Sequence, residues 1–435
     1  MNRIPALRHL LGLLVGVALA AQSPSLVRAG RLLDVRTGQL LTDQGLLVQE
    51  GRITASGPWG QVSASAPKGT TILDLSDQFV LPGLIEAHTH VLLQGNRFSQ
   101  DYADQILKES VPYRTLRAAA SARAALMWGF TAMRDLGSEG AGYADVDLKR
   151  AIEAGVVPGP RLFVAGKAFS ATGTYPLQNY AWELDLPSGV RVVDGVEAIR
   201  VAVRDEVRRG ADWVKVYVDR AITQGADGRL RSLTNYRPEE LKAFVDEAHR
   251  LGKRTSAHVK GWDGIDAALT AGFDTLEHAD GFTEELLDRA VKQGTFWCPT
   301  IYAGIWVAEG RGPLGKKYPE ILAAAFRKGL AKGVKIALGS DIGAFPWTEN
   351  PARELALMVE RGMTPLQAIQ SATVVAADLL GVKELGHLGA GAHADLVALP
   401  ENPLKDITAL QRLQTVVKGG VVVRTAPLAA AAPSR

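Results

Sequence analysis

From residue 84 onward, short apolar runs alternate with longer amphipathic stretches. The runs are Leu84–His90, Gly129–Leu136, Arg161–Ser170, Asp212–Asp219, Arg254–Lys260, Asp274–Ala279, Gly294–Thr300 and Lys335–Asp341. Each is rich in apolar residues and has the length of a buried strand. Helical periodicity occupies Pro112–Met127, Val196–Arg209, Pro238–Leu251, Ala279–Gln293 and Glu320–Lys332. A glycine closely follows each of these five: Gly129, Gly210, Gly252, Gly294 and Gly333. Glycine ends helices there because it adopts the left-handed conformation without strain. Repeated strand–helix units of this kind predict an α/β fold, a (β/α)8 TIM barrel spanning residues 83–388. An open doubly wound sheet is the alternative, and no Gly-x-Gly-x-x-Gly run follows an early strand to support it.

The two ends of the chain read differently. Leu26–Val35, Gly45–Ser56 and Thr70–Leu75 are strand-like, with turns at Gly51-Arg52 and Gly57-Pro58. Beyond helical stretches at Asn350–Arg361 and Thr364–Leu380, strand-like segments return at Ala394–Leu399 and Leu413–Val423. Residues 22–82 and 389–425 are therefore expected to form one small composite β-sandwich. The alanine-rich tail, 426–435, is expected to be disordered. Residues 1–21 have the pattern of a secretory signal. Arg3 and Arg8 precede the uncharged apolar stretch Leu10–Leu19, and Ala18-Leu19-Ala20 is a small-x-small cleavage site. The stretch is short for a transmembrane helix. An uncleaved N-terminal anchor is the other reading. Either places the body outside the cytoplasm, in a bacterial periplasm or the medium, without stable membrane association once a signal is cleaved.

Composition adds exclusions. At 47% hydrophobic and 22% charged residues, the chain suits a globular enzyme-sized protein. A formal charge of +3 over 435 residues, with no basic run, excludes nucleic acid as a partner class. The single cysteine, Cys298, rules out an intramolecular disulfide and sits in an apolar run that predicts a buried thiol.

Chemistry enters at the ends of the runs. In a (β/α)8 barrel, catalytic groups gather at the C-terminal ends of the strands. His88 and His90 stand two residues apart, so both imidazoles of a strand point the same way. His258 and His278 close two later runs, and Asp341 closes the eighth. The remaining histidines, His9, His249, His387 and His393, fall outside strand ends. Lys215 lies between Val214 and Val216, where a buried ammonium is costly. It either pairs with an acid such as Asp341 or is carboxylated by CO2 to give an anionic oxygen ligand for two cations.

This set resembles the amidohydrolase superfamily, in its binuclear, carboxylated-lysine branch. The resemblance is carried by Leu81-Pro82-Gly83-Leu84-Ile85-Glu86-Ala87-His88-Thr89-His90, by Lys215, Ala257-His258, Glu277-His278 and Leu338-Gly339-Ser340-Asp341, and by the closing Gly391-Ala392-His393-Ala394-Asp395-Leu396-Val397. It implies two divalent metal ions, most simply Zn2+. His88, His90 and Asp341 would bind one, His258 and His278 the other, and the Lys215 carbamate and a hydroxide would bridge them. Two such cations roughly 3.5–4 Å apart acidify a shared water. Asp341 would act as general base, then general acid. Members of the family are often oligomeric, which leaves a homo-oligomer among the partners.

Within the superfamily the chain resembles a secreted branch that includes Xaa-Pro dipeptidases, Xaa-Arg/Lys carboxypeptidases and ochratoxin-hydrolysing amidases. Gly129-Phe130-Thr131-Ala132-Met133-Arg134-Asp135-Leu136-Gly137, Pro158-Gly159-Pro160-Arg161-Leu162 and Val214-Lys215-Val216-Tyr217 carry that likeness, with Ala352-Arg353-Glu354-Leu355 and Gly362-Met363-Thr364-Pro365. It implies amide hydrolysis of dipeptides or N-acyl amino acids. Tyr217 shares the face of Lys215 and is either a donor to the scissile carbonyl or a strand tyrosine bonded to a neighbouring loop. Many members carry Thr-Gly-Gly-His-Gly where this chain has Thr172-Gly173-Thr174-Tyr175-Pro176. A substrate carboxylate would then need another holder, for which Lys260, Arg134 and Arg220 are the cationic candidates. Trp347, with Trp182 and Trp262, would supply either an apolar substrate wall or loop packing. An esterase or lactonase using the same centre, and a binding protein without catalysis, are the competing functions.

Overall fold

The structure is a computed structural model that describes residues 24–95, 99–308 and 312–425. The expected signal segment and the alanine-rich tail lie outside the described residues. Every one of the eight apolar runs contains a strand: Leu84–Thr89, Phe130–Asp135, Arg161–Val164, Trp213–Tyr217, Arg254–Val259, Thr275–His278, Phe296–Cys298 and Lys335–Ile336. All their mutual pairings are parallel. The expected cylinder is found as two sheets. The first three strands form one, and the later five form another together with Phe169–Ser170 and Arg191–Val192. Backbone hydrogen bonds span both seams. The Asp212 amide donates to Val164 O at 2.7 Å, and the Ala87 amide donates to Leu338 O at 2.9 Å.

Helices lie in the predicted gaps. Val111–Met127, Val196–Arg209, Pro238–Arg250, Glu284–Gln293 and Gly312–Lys332 match the five expected stretches. All five stop glycines have positive φ. The fourth helix starts five residues later than expected, because His278 and Ala279 themselves take left-handed backbone and the chain turns before it coils. Thr364–Leu380 is two helices broken at Thr373, and the hairpin Asp219–Gln224/Leu230–Thr234 was not anticipated.

Strands from both chain ends share one seven-stranded sheet. Its order is Val421–Arg424, Thr415–Lys418, Leu396–Leu399, Thr71–Pro82, Ser25–Asp34, Gln39–Gln49 and Arg52–Pro58. The join is antiparallel, with Val397 opposite Leu81. This strand ends at Pro82, and Gly83 turns it directly into the histidine strand. The main apolar core fills the space between the parallel strands and their helices, with Phe130, Phe169, Phe244 and Phe326 fully buried.

Candidate active site

Alternation along Leu84–Thr89 sorts the side chains. Ile85 and Ala87 pack outward against Ala376, Leu379 and Leu385, while Glu86, His88 and His90 share the opposite face. His88 Nδ1 donates to Glu277 Oε2 at 2.8 Å. Glu277 is in turn held by Arg134 Nη2 at 2.8 Å, Ser256 Oγ at 2.8 Å and Thr275 Oγ1 at 2.6 Å. Burial pushes the Glu277 carboxyl up, but the Arg134 guanidinium and His88 outweigh it and hold it well below the usual range. Burial also lowers His88 to about 4, so its ring is neutral, the form that binds metals. With Nδ1 committed, Nε2 is the atom left to face the site, and it makes no hydrogen bond.

Asp341 arrives from the loop after Lys335–Ile336. Its amide donates to His88 O at 2.8 Å, and its φ is +61°. Oδ1 lies 3.5 Å from both His88 Nε2 and His90 Nε2. The ligand atoms of His88, His90 and Asp341 all fall within 4.8 Å of one another. Two glycines permit this approach. A Cβ at Gly339 would meet His88 Cβ at 2.8 Å, and one at Gly343 would meet His90 O at 2.4 Å. Glu86 clamps the same junction, accepting from the His88 and Ser340 amides at 3.0 and 2.9 Å. Burial raises its carboxyl to about 8.

Strands of the other sheet bring a second group. Tyr217 stands in register with His258, and Val259 with His278. At His278 the backbone turns left-handed, with φ +68°. Its Nδ1 lies 2.7 Å from Thr300 Oγ1, which leaves Nε2 facing His258 Nδ1 at 3.0 Å. The two imidazoles are hydrogen-bonded to each other through these nitrogens, and loss of the shared proton would free both for one cation. Lys215 is 1% exposed and its Nζ makes no hydrogen bond. The hydrogen-bonded ion pair with Asp341 is therefore not formed. Burial lowers its amine to about 8, towards the neutral form that can react with CO2. The donor set thus fits divalent metals: five buried or half-buried N and O donors, and an amine left without a partner.

Above this floor opens a cavity of about 620 Å³, which His90, His258, His278 and Asp341 all line. Tyr217, Glu139, Tyr175 and Lys260 form parts of its walls, and Ile222, Val307 and Leu314 an apolar part.

Residues 79–423 match the amidohydrolase family. The chain belongs to that family. It is a hydrolase acting on carbon–nitrogen bonds. The ochratoxinase of Aspergillus niger is 32% identical over 370 residues, 78% of this chain and 75% of its own. A solved Xaa-Pro dipeptidase with methionine bound in its active site superposes with a TM-score of 0.82 at 31% identity, covering 92% of this chain and 100% of its own. The A. niger ochratoxinase structure gives 0.78 at 29% identity over 93% and 96%.

Of the other candidates in this amidohydrolase, Arg134 and Trp347 stand elsewhere than expected. Arg134 is 0% exposed. It lies under the His88 strand, donating to Ala87 O, Thr275 and Glu277 and lying against the Trp213 ring. It holds Glu277 and has no path to a substrate. Trp347 is buried in the main core, where its indole N–H donates to His90 O at 3.4 Å, so it steadies the histidine loop instead of walling the cavity. Trp182 is 90% exposed. Lys260 does line the cavity, with Nζ 3.4 Å from Asp280 and 3.3 Å from Tyr318. Arg220 lines it from the hairpin and donates to Asn235 at 2.7 Å. Tyr217 follows the loop-bonded alternative: its hydroxyl donates to Glu139 Oε1 at 2.8 Å.

Sequence reasoning missed Glu139 and the supporting roles of Glu86 and Glu277. Glu86 was visible two residues before His88, on the same strand face. Glu277 was visible as the residue before His278. Glu139 sits at φ +46° in a glycine-flanked turn, and no periodicity points to it.

Proposed function

We propose that the protein is a metal-dependent amidohydrolase that cleaves the amide bond of dipeptides or N-acyl amino acids. The observation that carries this reading is the meeting of His88, His90 and Asp341, with a buried Lys215 amine that makes no hydrogen bond within reach of the Asp341 charge. The ochratoxinase and Xaa-Pro dipeptidase relatives support the substrate class. His88, His90 and Asp341 would hold one divalent cation. His258 and His278 would hold a second, with carboxylated Lys215 between the two. Such cations supply an acidified water and a polarised carbonyl. Asp341 takes the proton of the attacking water and passes it to the leaving nitrogen. Glu277 keeps the His88 ring turned, and Lys260 and Arg220 offer positive charge to a substrate carboxylate.

The domain reading follows the same logic. Residues 83–388 would act as one (β/α)8 unit, and residues 22–82 and 389–425 as one composite domain. A signal at residues 1–21 delivers the enzyme to the periplasm or medium. Metal analysis of purified protein tests the centre, with about two ions per chain expected. Fewer than one, with no activity gained on adding Zn2+ or Co2+, would sink it. A library of dipeptides and N-acyl amino acids, scored by released amine, identifies the substrate.

A further inference from the structure

The cavity wall beside His90 carries a carboxylate and two phenols with no place in that chemistry, and a third phenol is bonded to the same carboxylate. Glu139 is 1% exposed. Tyr217 donates to its Oε1 at 2.8 Å, Tyr102 to its Oε2 at 2.7 Å, and Tyr175 to Oε2 at 3.3 Å. The hydroxyls of Tyr175 and Tyr217 are 3.4 Å apart. The turn is anchored from below, where Arg114 Nη2 donates to Glu139 O at 2.7 Å. Glu139, Tyr175 and Tyr217 all line the cavity.

A phenol carries one proton and two lone pairs. Tyr102 and Tyr217 spend that proton on the acid, and Tyr175 spends it on the acid or on Tyr217. What Tyr175 and Tyr217 turn towards the cavity is therefore acceptor capacity, with a carboxylate charge behind it. Such a wall cannot donate to a carbonyl and disfavours a substrate carboxylate. It suits a group with several N–H donors and positive charge. Tyr175 is also where this chain departs from the histidine-containing run. A ring that can carry positive charge has been replaced there by a hydroxyl tied to an acid.

We propose that Tyr175 and Tyr217, backed by Glu139, form a subsite for the free α-ammonium group of a dipeptide. The proposal rests on the amide-hydrolase reading and narrows it to substrates with an uncapped amino terminus. An acyl cap removes the charge and all but one of the N–H donors, so the wall's acceptors lose partners, which is the kind of loss that discriminates strongly.

The test compares a cleaved dipeptide with its N-acetyl counterpart on the wild type, Glu139→Gln and Tyr175→Phe, all metal-loaded. The wild type should prefer the free amine about tenfold or more in kcat/KM. Glu139→Gln should bring that ratio close to one, mainly through KM, and Tyr175→Phe should lower it part-way. Taking the ratio within each variant cancels any effect on His90, whose Nδ1 is 3.6 Å from Glu139. Equal cleavage of both compounds by the wild type overturns the proposal, as does a preference that survives Glu139→Gln. Should Glu139→Gln not fold, Tyr175→Phe and Tyr217→Phe carry the same comparison. If neither compound is cleaved, the amide-hydrolase reading fails separately. Calorimetry with the two uncleaved compounds then decides the subsite: tighter binding of the free amine, lost in the variants, supports it, and equal binding overturns it.

Discussion

The two halves of the polar floor are built differently. Around His88, the supporting groups are tied to one another, although Glu86 Oε2 and His88 Nε2 make no hydrogen bond. Glu277 fixes one ring nitrogen, Arg134, Ser256 and Thr275 fix Glu277, and Glu86 ties the histidine strand to the Asp341 loop. Around Lys215, the amine has no hydrogen bond, and two imidazole nitrogens face each other at 3.0 Å. One half is organised by protein alone. The other holds a buried amine with no hydrogen bond near a pair of imidazoles bonded to each other, and it is the amine's burial that is costly. Preorganisation and incompleteness thus meet across two sheets, at the strand that carries both Glu277 and His278.

The hardest test of this contrast is Asp341→Asn. Asp341 belongs to the organised half as a donor and is also the proposed proton carrier. Its loss should cut kcat by about 10²–10⁴-fold. The metal content of the variant then separates the two roles: activity lost with metal retained isolates proton transfer. An unchanged rate would remove Asp341 from the mechanism. Next comes Lys215→Ala, which should lower metal content and cost roughly a hundredfold in activity, by analogy with losses around metal sites. A short carboxylic acid in the buffer should restore part of both. No effect of this change would mean that the incomplete half is not a cation site.

These two residues were legible in the sequence for a simple reason. Strand alternation and barrel topology determine which strand-end side chains can meet, so His88, His90, Lys215, His258, His278 and Asp341 could be collected without knowing any angle. The scaffolding was less visible. Arg134 occupies the same kind of strand as the ligands, and only its depth distinguishes a group that holds Glu277 from one that meets a substrate. Glu139 depends on a left-handed turn and on tyrosines from three separate elements. Trp347 reads as an aromatic near the mouth, yet its ring enters the core. Periodicity reports which face a residue takes. It does not report how far along the barrel axis the side chain ends, and that depth decides substrate contact.

Glu277→Gln probes the organised half alone. The amide keeps the shape but removes the charge that Arg134 and His88 balance. Metal affinity or activity should fall about 10–100-fold. The Arg134 guanidinium would also lose its buried counter-charge, so the melting temperature should drop, in line with about 3–5 kcal/mol for breaking a buried pair. Should both stay at wild-type values, the His88 ring needs no carboxylate to orient it.

The smallest effect sets the two halves against each other through pH, in metal-free protein. Glu86 is raised by burial to about 8 from an ordinary 4.5. The fold keeps a proton that the unfolded chain releases, so this group stabilises below pH 4.5 and its contribution is lost as pH rises towards 8. Lys215 is lowered by burial to about 8 from 10.5. Here the unfolded chain holds the extra proton, so stability is present above 10.5 and is lost as pH falls towards 8. Denaturant midpoints measured against pH should therefore carry a falling component between 4.5 and 8 that Glu86→Gln flattens. They should also carry a rising component between 8 and 10.5 that Lys215→Met removes. If Lys215→Met leaves the upper range unchanged, the amine is not paying a burial cost, and the contrast between a finished and an unfinished half loses its physical basis.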